Sequence, residues 1–308
     1  MWLADSPSGV YRDHALSSTI RQDAYADTVI APFLRPEPGY GTRKGQSLTI
    51  TRMGRLARAG TVSDQDRLPV VRPVVTTHSV TVKEWGNKCE LTEFEVDLTH
   101  YELEAQVKEN LRDQMGITTD FMCATALKTT PIIFTPKVAS QTFETDGTVV
   151  AGAADRNLNV SDVQVIRDYL RQTLKAPPFR NGRYVGCLST RCARGVKNDP
   201  TYKDWFVYRN EMAFIKSYVA SFEDVDFYET NNEDALADLS GASTVLGEAL
   251  FFGADPGFTA VVRDPELRVS PRSVDLGRIW EVGWVGTLEA GLSYVLASNA
   301  RVIRVQSA

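Results

Sequence analysis

The residues that could carry acid–base or metal chemistry are few. There are three histidines, His14, His78 and His100, and each stands alone. His14 lies in an N-terminal stretch, His78 in a strand pattern and His100 at the start of a helix pattern. None has Cys, Asp or His neighbours at metal-ligand spacing. His100, near Asp97, reads as a capping-region residue. The four cysteines, Cys89, Cys123, Cys187 and Cys192, form no CxxC pair and sit in apolar or helical contexts. They read as buried free thiols, with a Cys187–Cys192 disulfide as the lesser alternative. The carboxylate pairs Glu93/Glu95 and Asp224/Asp226 fall at alternating positions of expected strands, where an exposed face carries charge without a catalytic reason. No GxSxG elbow, HExxH or Walker A sequence occurs. GYGTRKGQS at 39–47 lacks both the GK[ST] ending and the strand-to-helix context of a phosphate loop, and reads as a turn. No catalytic, cofactor-binding or metal-ligating residue is expected, no cofactor is implied, and the chain is not expected to be an enzyme. A site assembled from distant residues of a soluble α+β enzyme or ligand-binding protein stays open as an alternative.

Charge is distributed with more purpose. Between Thr42 and Arg72 lie seven basic residues, Arg43, Lys44, Arg52, Arg55, Arg58, Arg67 and Arg72, against Asp64 and Asp66. The other 27 of 34 basic and 37 of 39 acidic residues lie outside this stretch and carry a net −10, against −5 for the whole chain. A basic projection on an acidic body suits packing against another copy of the same chain. The basic residues lack interleaved aromatics, and no zinc-finger, helix-turn-helix or RNA-recognition signature is present, so any DNA contact is expected to be electrostatic and non-specific.

These residues need elements to position them. The dominant one is HYELEAQVKENLRDQMGITTDFMCATALK, a helix expected over 100–128. Leu103, Val107, Leu111 and Met115 fall on one face, continued by Phe121, Met122, Ala124 and Leu127. Thr99 and Glu102 suit a capping box, and Pro131 stops the helix. Gly116 and the threonines after it weaken its middle. Residues 1–45 read as an arm, with a short helical pattern at Ile20, Ala24, Val29 and Phe33 broken by prolines. Residues 46–83 read as a long hairpin whose inward positions are Leu48, Ile50 and Met53, then Val80 and Val82. Residues 79–98 read as a strand feeding the long helix. Short strands follow near a turn at Asp146–Gly147. A helix after Asn157 is capped by Ser161 with Gln164. RYVGCLS reads as a buried strand, and Ser189 caps a short helix. A strand ends FIKSYVASFEDVDFYETNN, and 231–246 reads as a surface loop. The last segment is β-rich and is expected to pair with the strand at 79–92, which makes 157–250 an insertion; for 287–297 strand is favoured over helix.

No apolar run approaches the roughly 20 residues of a membrane span, so no membrane is expected as a partner. The N-terminus lacks a signal-peptide pattern, and with the cysteines this points to the cytoplasm.

The order of elements (arm, basic hairpin, strand into one long helix, inserted segment, returning strands) resembles the HK97-like fold of tailed-bacteriophage major capsid proteins. TVKEWGNKCELTEFEVDLTHYELEAQVKENLRDQMGITTDFMCATAL is similar to the strand-to-spine passage of that family, where "eyG…v.lTd" precedes the rod. YVGCLSTRCARGVKNDPTYKDW is similar to the strand and short helix of its inserted domain, with Ser189–Thr190 where the family often has His-Pro. The resemblance covers roughly 40 to 300 and is closest to podovirus-type members with short N-arms.

The resemblance implies an α+β fold with an N-terminal arm (1–45) and an extended β-hairpin loop (46–78). It also implies a peripheral domain (79–156 and 260–308) with spine helix 100–128 on a sheet, and an inserted axial domain (157–259). It implies a structural subunit that self-assembles into hexamers and pentamers of an icosahedral capsid enclosing double-stranded DNA. Assembly would take place in the host cytoplasm, with a separate scaffolding protein and a portal as partners. Arg52, Arg55, Arg58 and Arg67 are the expected subunit-interface residues. No covalent crosslink is expected. An encapsulin-type compartment with the same fold is the alternative within this class.

Overall fold

The computed structural model describes residues 26, 28–37, 40–62, 64, 67–68, 70–98, 102–138, 141–148, 156–179, 181–201, 218–237, 247–271 and 275–306. His14, Thr99, His100 and the arm positions Ile20 and Ala24 lie outside these residues. In chain order the first strands are β1 (Arg35–Pro36), β2 (Ser47–Met53), β3 (Val75–Thr81) and β4 (Lys83–Thr92). Helices α1 (Glu93–Leu98) and α2 (Leu103–Lys128) follow, then β5 (Ile133–Thr135), β6 (Thr142–Glu144) and α3 (Val160–Asp168). Next come β7 (Tyr184–Ser189), α4 (Thr190–Asn198), β8 (Tyr218–Phe222), β9 (Val225–Thr230) and β10 (Ala249–Phe252). The chain closes with β11 (Gly257–Val269), β12 (Ile279–Leu292) and β13 (Val302–Val305). It divides into two compact units, which among the described residues are 26–85, 115–265 and 286–306 for the larger, and 86–114 and 266–285 for the smaller.

The larger unit is built on a mixed seven-stranded sheet, ordered β6-β5-β13-β10-β7-β9-β8. Both faces of its centre are covered, so the central strands β7 and β10 are buried at every position rather than alternating. In β10, Ala249 and Phe251 face one core while Leu250 and Phe252 face another. The first core holds Ile166 and Leu170 of the α3 segment and Cys192, Ala193 and Val196 of α4. The second holds Met122, Cys123, Ala124 and Leu127 of α2 with Val29, Ile30 and Leu34 from the arm. The expected pairing of the last segment with the strand at 79–92 holds for β12, which lies beside β4 in a four-stranded sheet ordered β1-β11-β12-β4. It fails for β13, which pairs with β10 and β5. Val302, Ile303 and Val305 are all buried, as a strand between two covered faces requires. Residues 287–292 are strand and complete β12, but the chain leaves the sheet after Leu292, so the strand expected over 287–297 is shorter.

Several local expectations change. The strand at 79–98 ends at Thr92, because Thr92 and Glu95 form a reciprocal capping box: Glu95 N–H donates to Thr92 Oγ1 and Thr92 N–H to Glu95 Oε2, both at 3.2 Å. Residues 93–98 are therefore helical. The cap of α3 is Asn159 with Asp162, not Ser161 with Gln164. Asp162 N–H donates to Asn159 Oδ1 at 3.0 Å and Asn159 N–H to Asp162 Oδ2 at 3.1 Å. Arg156 grips the fully buried Asp162 carboxylate with both terminal nitrogens, at 2.6 and 2.7 Å. Ser189 occupies the N-cap position of α4, but its hydroxyl caps nothing. β8 and β9 form a hairpin turning on Glu223 and Asp224, both at positive φ. Residues 231–237 form a turn as expected, with Asn231, Glu233 and Asp234 exposed, but Asn232, Ala235 and Leu236 are buried beneath it; residues 238–246 lie outside the described residues.

In the smaller unit, Gln114 of α2 accepts from Asn87 of β4 at 3.1 Å and from the Trp284 indole of β12 at 3.3 Å. Trp280 and Trp284 are buried while Glu281 between them pairs with Lys88. The helix face read from sequence is buried at Leu111; Leu103 and Val107 are half-buried.

Candidate subunit interface

The basic segment forms the expected hairpin. β2 and β3 pair antiparallel from Ser47↔Thr81 to Met53↔Val75 and make a sheet of their own. Strand alternation gives the ribbon two faces. Inward, Ile50 and Val80 pack with Val82 on Phe258 and Ala260 of β11. Val80 sits directly over Gly291 of β12, where an added Cβ would come within 2.5 Å of Val80 Cγ2. Outward, Ser47 faces Thr81 and Thr49 faces Ser79 in a ladder of exposed hydroxyls. Met53 has the outward parity and is exposed, against the inward position expected for it. At the end of the ribbon Gly54 N–H donates to Val74 O at 2.7 Å and closes a loop over 54–74.

That loop exposes apolar side chains to an unusual degree. Leu56, Leu68, Val70, Val71 and Val74 are each more than half exposed, Val70 to 87%. Arg58, Arg67 and Arg72 are exposed among them. Several large apolar side chains exposed on one loop, interspersed with arginines, mark a candidate interaction surface.

The four arginines expected at an interface divide into two pairs. Arg52 and Arg55 bind their own chain at the base of the hairpin. Arg52 donates to Ser293 O at 3.2 Å, lies 5.0 Å from the centre of the Tyr294 ring and 3.9 Å from Asp255. Arg55 donates to Leu174 O at 2.8 Å and Lys175 O at 3.3 Å. Arg58 and Arg67 lie on the loop, exposed.

Two cations, Arg52 and Arg301, lie over the Tyr294 ring. Arg301 lies 3.9 Å from its ring centre and donates to Ala254 O at 2.8 Å. Burial pulls the Arg301 guanidinium below its ordinary value; Tyr294 and Asp255 act against that, while Arg52 and Arg55 add to it. His78 lines a cavity of about 270 Å³ here with Ile50, Arg52 and Tyr294, and no acid or thiol joins it in that lining.

Two polar clusters that sequence reading missed hold the larger unit together. Asp120, in the middle of α2 and fully buried, accepts from the backbone N–H groups of Val29, Ile30 and Ala31 at 3.1, 2.7 and 2.9 Å on one oxygen. One turn earlier, Gly116 leaves room for Thr28, whose methyl would stand 3.3 Å from an added Cβ. The weak helix former is thus a seat for the arm. Burial raises the Asp120 carboxyl above its ordinary value, opposed by those three N–H groups and by Asn232. The second cluster is centred on Glu248, 4% exposed, which pairs with Lys128 at the end of α2 and with Arg304 of β13 at 2.6 Å. Burial pushes its carboxyl up, but Lys128 and Arg304 together outweigh burial and hold it below the usual range.

The sequence-level carboxylate pairs do not come together as acid and base. Glu93 and Glu95 lie on α1, and Asp226 is buried against Arg183 at 3.0 Å while Asp224 binds Arg167 at 2.7 Å. Among the described residues all four cysteines are free. Burial pushes the Cys123 thiol up to about 12, and the Cys187 thiol well up, so both stay protonated. No group of three or more His, Cys, Asp or Glu among the described residues could hold a metal ion.

No protein-family model and no curated protein matches the chain. Solved structures do, end to end. The capsid asymmetric unit of cyanophage Pam1 matches with a TM-score of 0.72 at 14% identity, over 98% of each chain. The acid-stable capsid of Helicobacter pylori bacteriophage KHP30 matches at 0.68 and 13%, over 96% of this chain and 95% of that one. The capsid of Ralstonia phage GP4 matches at 0.65 and 14%, over 99% and 98%. At these identities the shared property is the path of the backbone, and on that evidence the chain has the HK97-like fold of tailed-phage capsid proteins.

Proposed function

We propose that the chain is the major capsid protein of a tailed bacteriophage, and that its copies assemble into hexamers and pentamers of an icosahedral shell around double-stranded DNA. The observation that carries this reading is the correspondence over 98% of both chains with a capsid subunit. It leaves no large part of this chain for a separate activity. The exposed apolar and basic loop supports it physically, because a surface of that kind stays soluble best when a neighbour covers it. On this reading 1–45 is the N-terminal arm, 46–78 the extended loop, 79–156 with 260–308 the peripheral domain, and 157–259 the axial domain. Arg58 and Arg67 meet a neighbouring subunit, while Arg52 and Arg55 set the direction of the loop that carries them. The chain acts without catalysis. A separate scaffolding protein and a portal complete assembly in the host cytoplasm, and DNA is touched non-specifically. The encapsulin alternative has less support, since the matched structures named above are all phage capsids.

Sedimentation velocity with negative-stain microscopy on the full chain tests the proposal. Closed shells, tubes or polyheads are expected. A compact monomer that also resists limited proteolysis at 52–72 would overturn it.

A further inference from the structure

The base of the hairpin holds two corners of backbone that lie in the left-handed region. The helix begun by α3 ends in one π-helical turn, Tyr169–Thr173. Leu174 N–H donates to Tyr169 O at 3.0 Å and Ala176 N–H to Leu170 O at 2.9 Å, which folds the chain back over the helix end. That fold puts Lys175 at a φ of 52°, where glycine is the usual residue. The carbonyls of Leu174 and Lys175 both accept from Arg55, which stands 119 and 120 residues earlier in the chain. A cation there also suits the negative end of a helix. The second corner is Asp255, at a φ of 57°. Arg52 and Arg301 lie 3.9 and 3.4 Å from its carboxylate, and the Ser293 hydroxyl donates to it at 3.0 Å. The corners are joined to each other, because Ala254 N–H donates to Pro177 O at 2.8 Å.

We infer that the hairpin base and the end of this helix form a latch within one chain. Arg55 holds Lys175 in its left-handed conformation, and that conformation presents the two carbonyls that seat Arg55. A displaced hairpin frees the helix end, and an altered helix end frees the hairpin, because a coupling free energy acts equally in both directions. The segment after α3 therefore registers whether the hairpin is seated. Two observations set this contact apart from an ordinary surface hydrogen bond. Arg55 binds main-chain oxygens rather than a side chain, so its seat exists only while the backbone keeps its turn. The residue that makes the turn is a lysine with an exposed side chain, so its conformation is secured by its surroundings and not by its own packing. The inference concerns a single chain and does not depend on the shell reading.

Position 175 allows a test that leaves the hairpin untouched. Hydrogen exchange of the full chain is read at single amides, with all variants compared at the same sedimentation coefficient. Gly54 N–H, bonded to Val74 O beside Arg55, reports on the hairpin base; Leu174 and Ala176 report on the helix end. Lys175→Gly adopts the turn freely and should slow exchange at Gly54 about fivefold, while Lys175→Val resists it and should speed exchange there about fivefold or more. Both effects should vanish in the Arg55→Gln background. In return, Arg55→Gln should speed exchange at Leu174 and Ala176 about tenfold, and adding Lys175→Gly should restore most of that protection. The side chains at 55 and 175 are both exposed, so folding is preserved. Exchange at Gly54 that is the same whichever residue stands at 175, or that responds equally in Arg55→Gln, would overturn the inference and leave the shell reading standing.

Discussion

The Asp120 carboxylate receives the backbone N–H of Ile30 at 2.7 Å across ninety residues of sequence. With Val29 and Ala31 on the same oxygen, one side chain of the spine helix satisfies three consecutive amides of the arm. Burying those amides without a partner would be expensive. Asp120→Ala should therefore destabilise the protein by about 2–4 kcal/mol and speed amide exchange at 29–31 before any other region. Asp120→Asn keeps an accepting oxygen and should cost clearly less. Denaturant titration with hydrogen exchange separates the two.

The same residue gives a pH signature. Its carboxyl is raised in the folded protein, chiefly by burial. The folded state therefore holds the proton more tightly than the unfolded chain does. Its contribution is full below the ordinary carboxyl value and is lost as pH rises through the raised one. Asp120→Asn removes this loss, so its stability relative to wild type should improve as pH rises from about 4 toward neutrality. Unfolding midpoints across that range check the sign.

Glu248 works in the opposite direction. Burial raises its carboxyl, but Lys128 and Arg304 together pull it below the usual value. Its contribution is present above the ordinary carboxyl value and is lost as pH falls through the lowered one. Glu248→Gln should cost about 3–5 kcal/mol at neutral pH, because two cations lose their partner. Its deficit should shrink in acid. A deficit that stays constant with pH would show that the pairing contributes nothing.

The Tyr294 ring, with its two cations, fixes the base of the hairpin. Tyr294→Ala removes both cation–ring contacts and should cost about 1–3 kcal/mol, with faster proteolysis between 54 and 74. Tyr294→Phe retains the ring and should lose less than half as much. Equal losses would place the effect in the hydroxyl.

Gly291 allows the ribbon to lie flat on its sheet. Gly291→Ala sets a methyl against Val80 and Phe258 and should cost about 1–3 kcal/mol. Val80→Ala in the same chain should recover part of that loss, which a double-mutant cycle measures.

Much of this architecture is legible in the residues. The rod expected over 100–128 runs Leu103–Lys128, and the hairpin expected over 46–83 pairs Ser47 to Thr81. These features have periods, 3.6 and 2, that repeat long enough to be read. Caps are less legible where two candidates compete. Asn159-x-x-Asp162 and Ser161-x-x-Gln164 both fit, and Arg156 favours the first by holding Asp162 in place. The Thr92-x-x-Glu95 box was present in the sequence, but an alternating pattern over the same residues pointed to strand. Partner choice is not legible at all. Nothing local in VIRV reveals that β13 joins β5 and β10, because a strand covered on both faces carries no alternation. Asp120 gives no local signal either, since its three partners lie some ninety residues earlier. Among the arginines, Arg52 and Arg58 differ only in what the fold brings beside them.

The 54–74 loop contains no aromatic residue. Its exposed apolar groups are leucine and valine, without the Trp and Tyr that dominate the tightest protein contacts, and arginine is the one anchor type it offers. On the proposed reading, a contact made by this loop should therefore be quick to break. On the proposed shell reading, that is an advantage for a closed lattice. A misplaced subunit bound by one weak contact leaves before the next arrives, while a subunit held by several neighbours stays. Growth should then show a lag and a sharp critical concentration, and the finished particle should persist well below the concentration at which it forms.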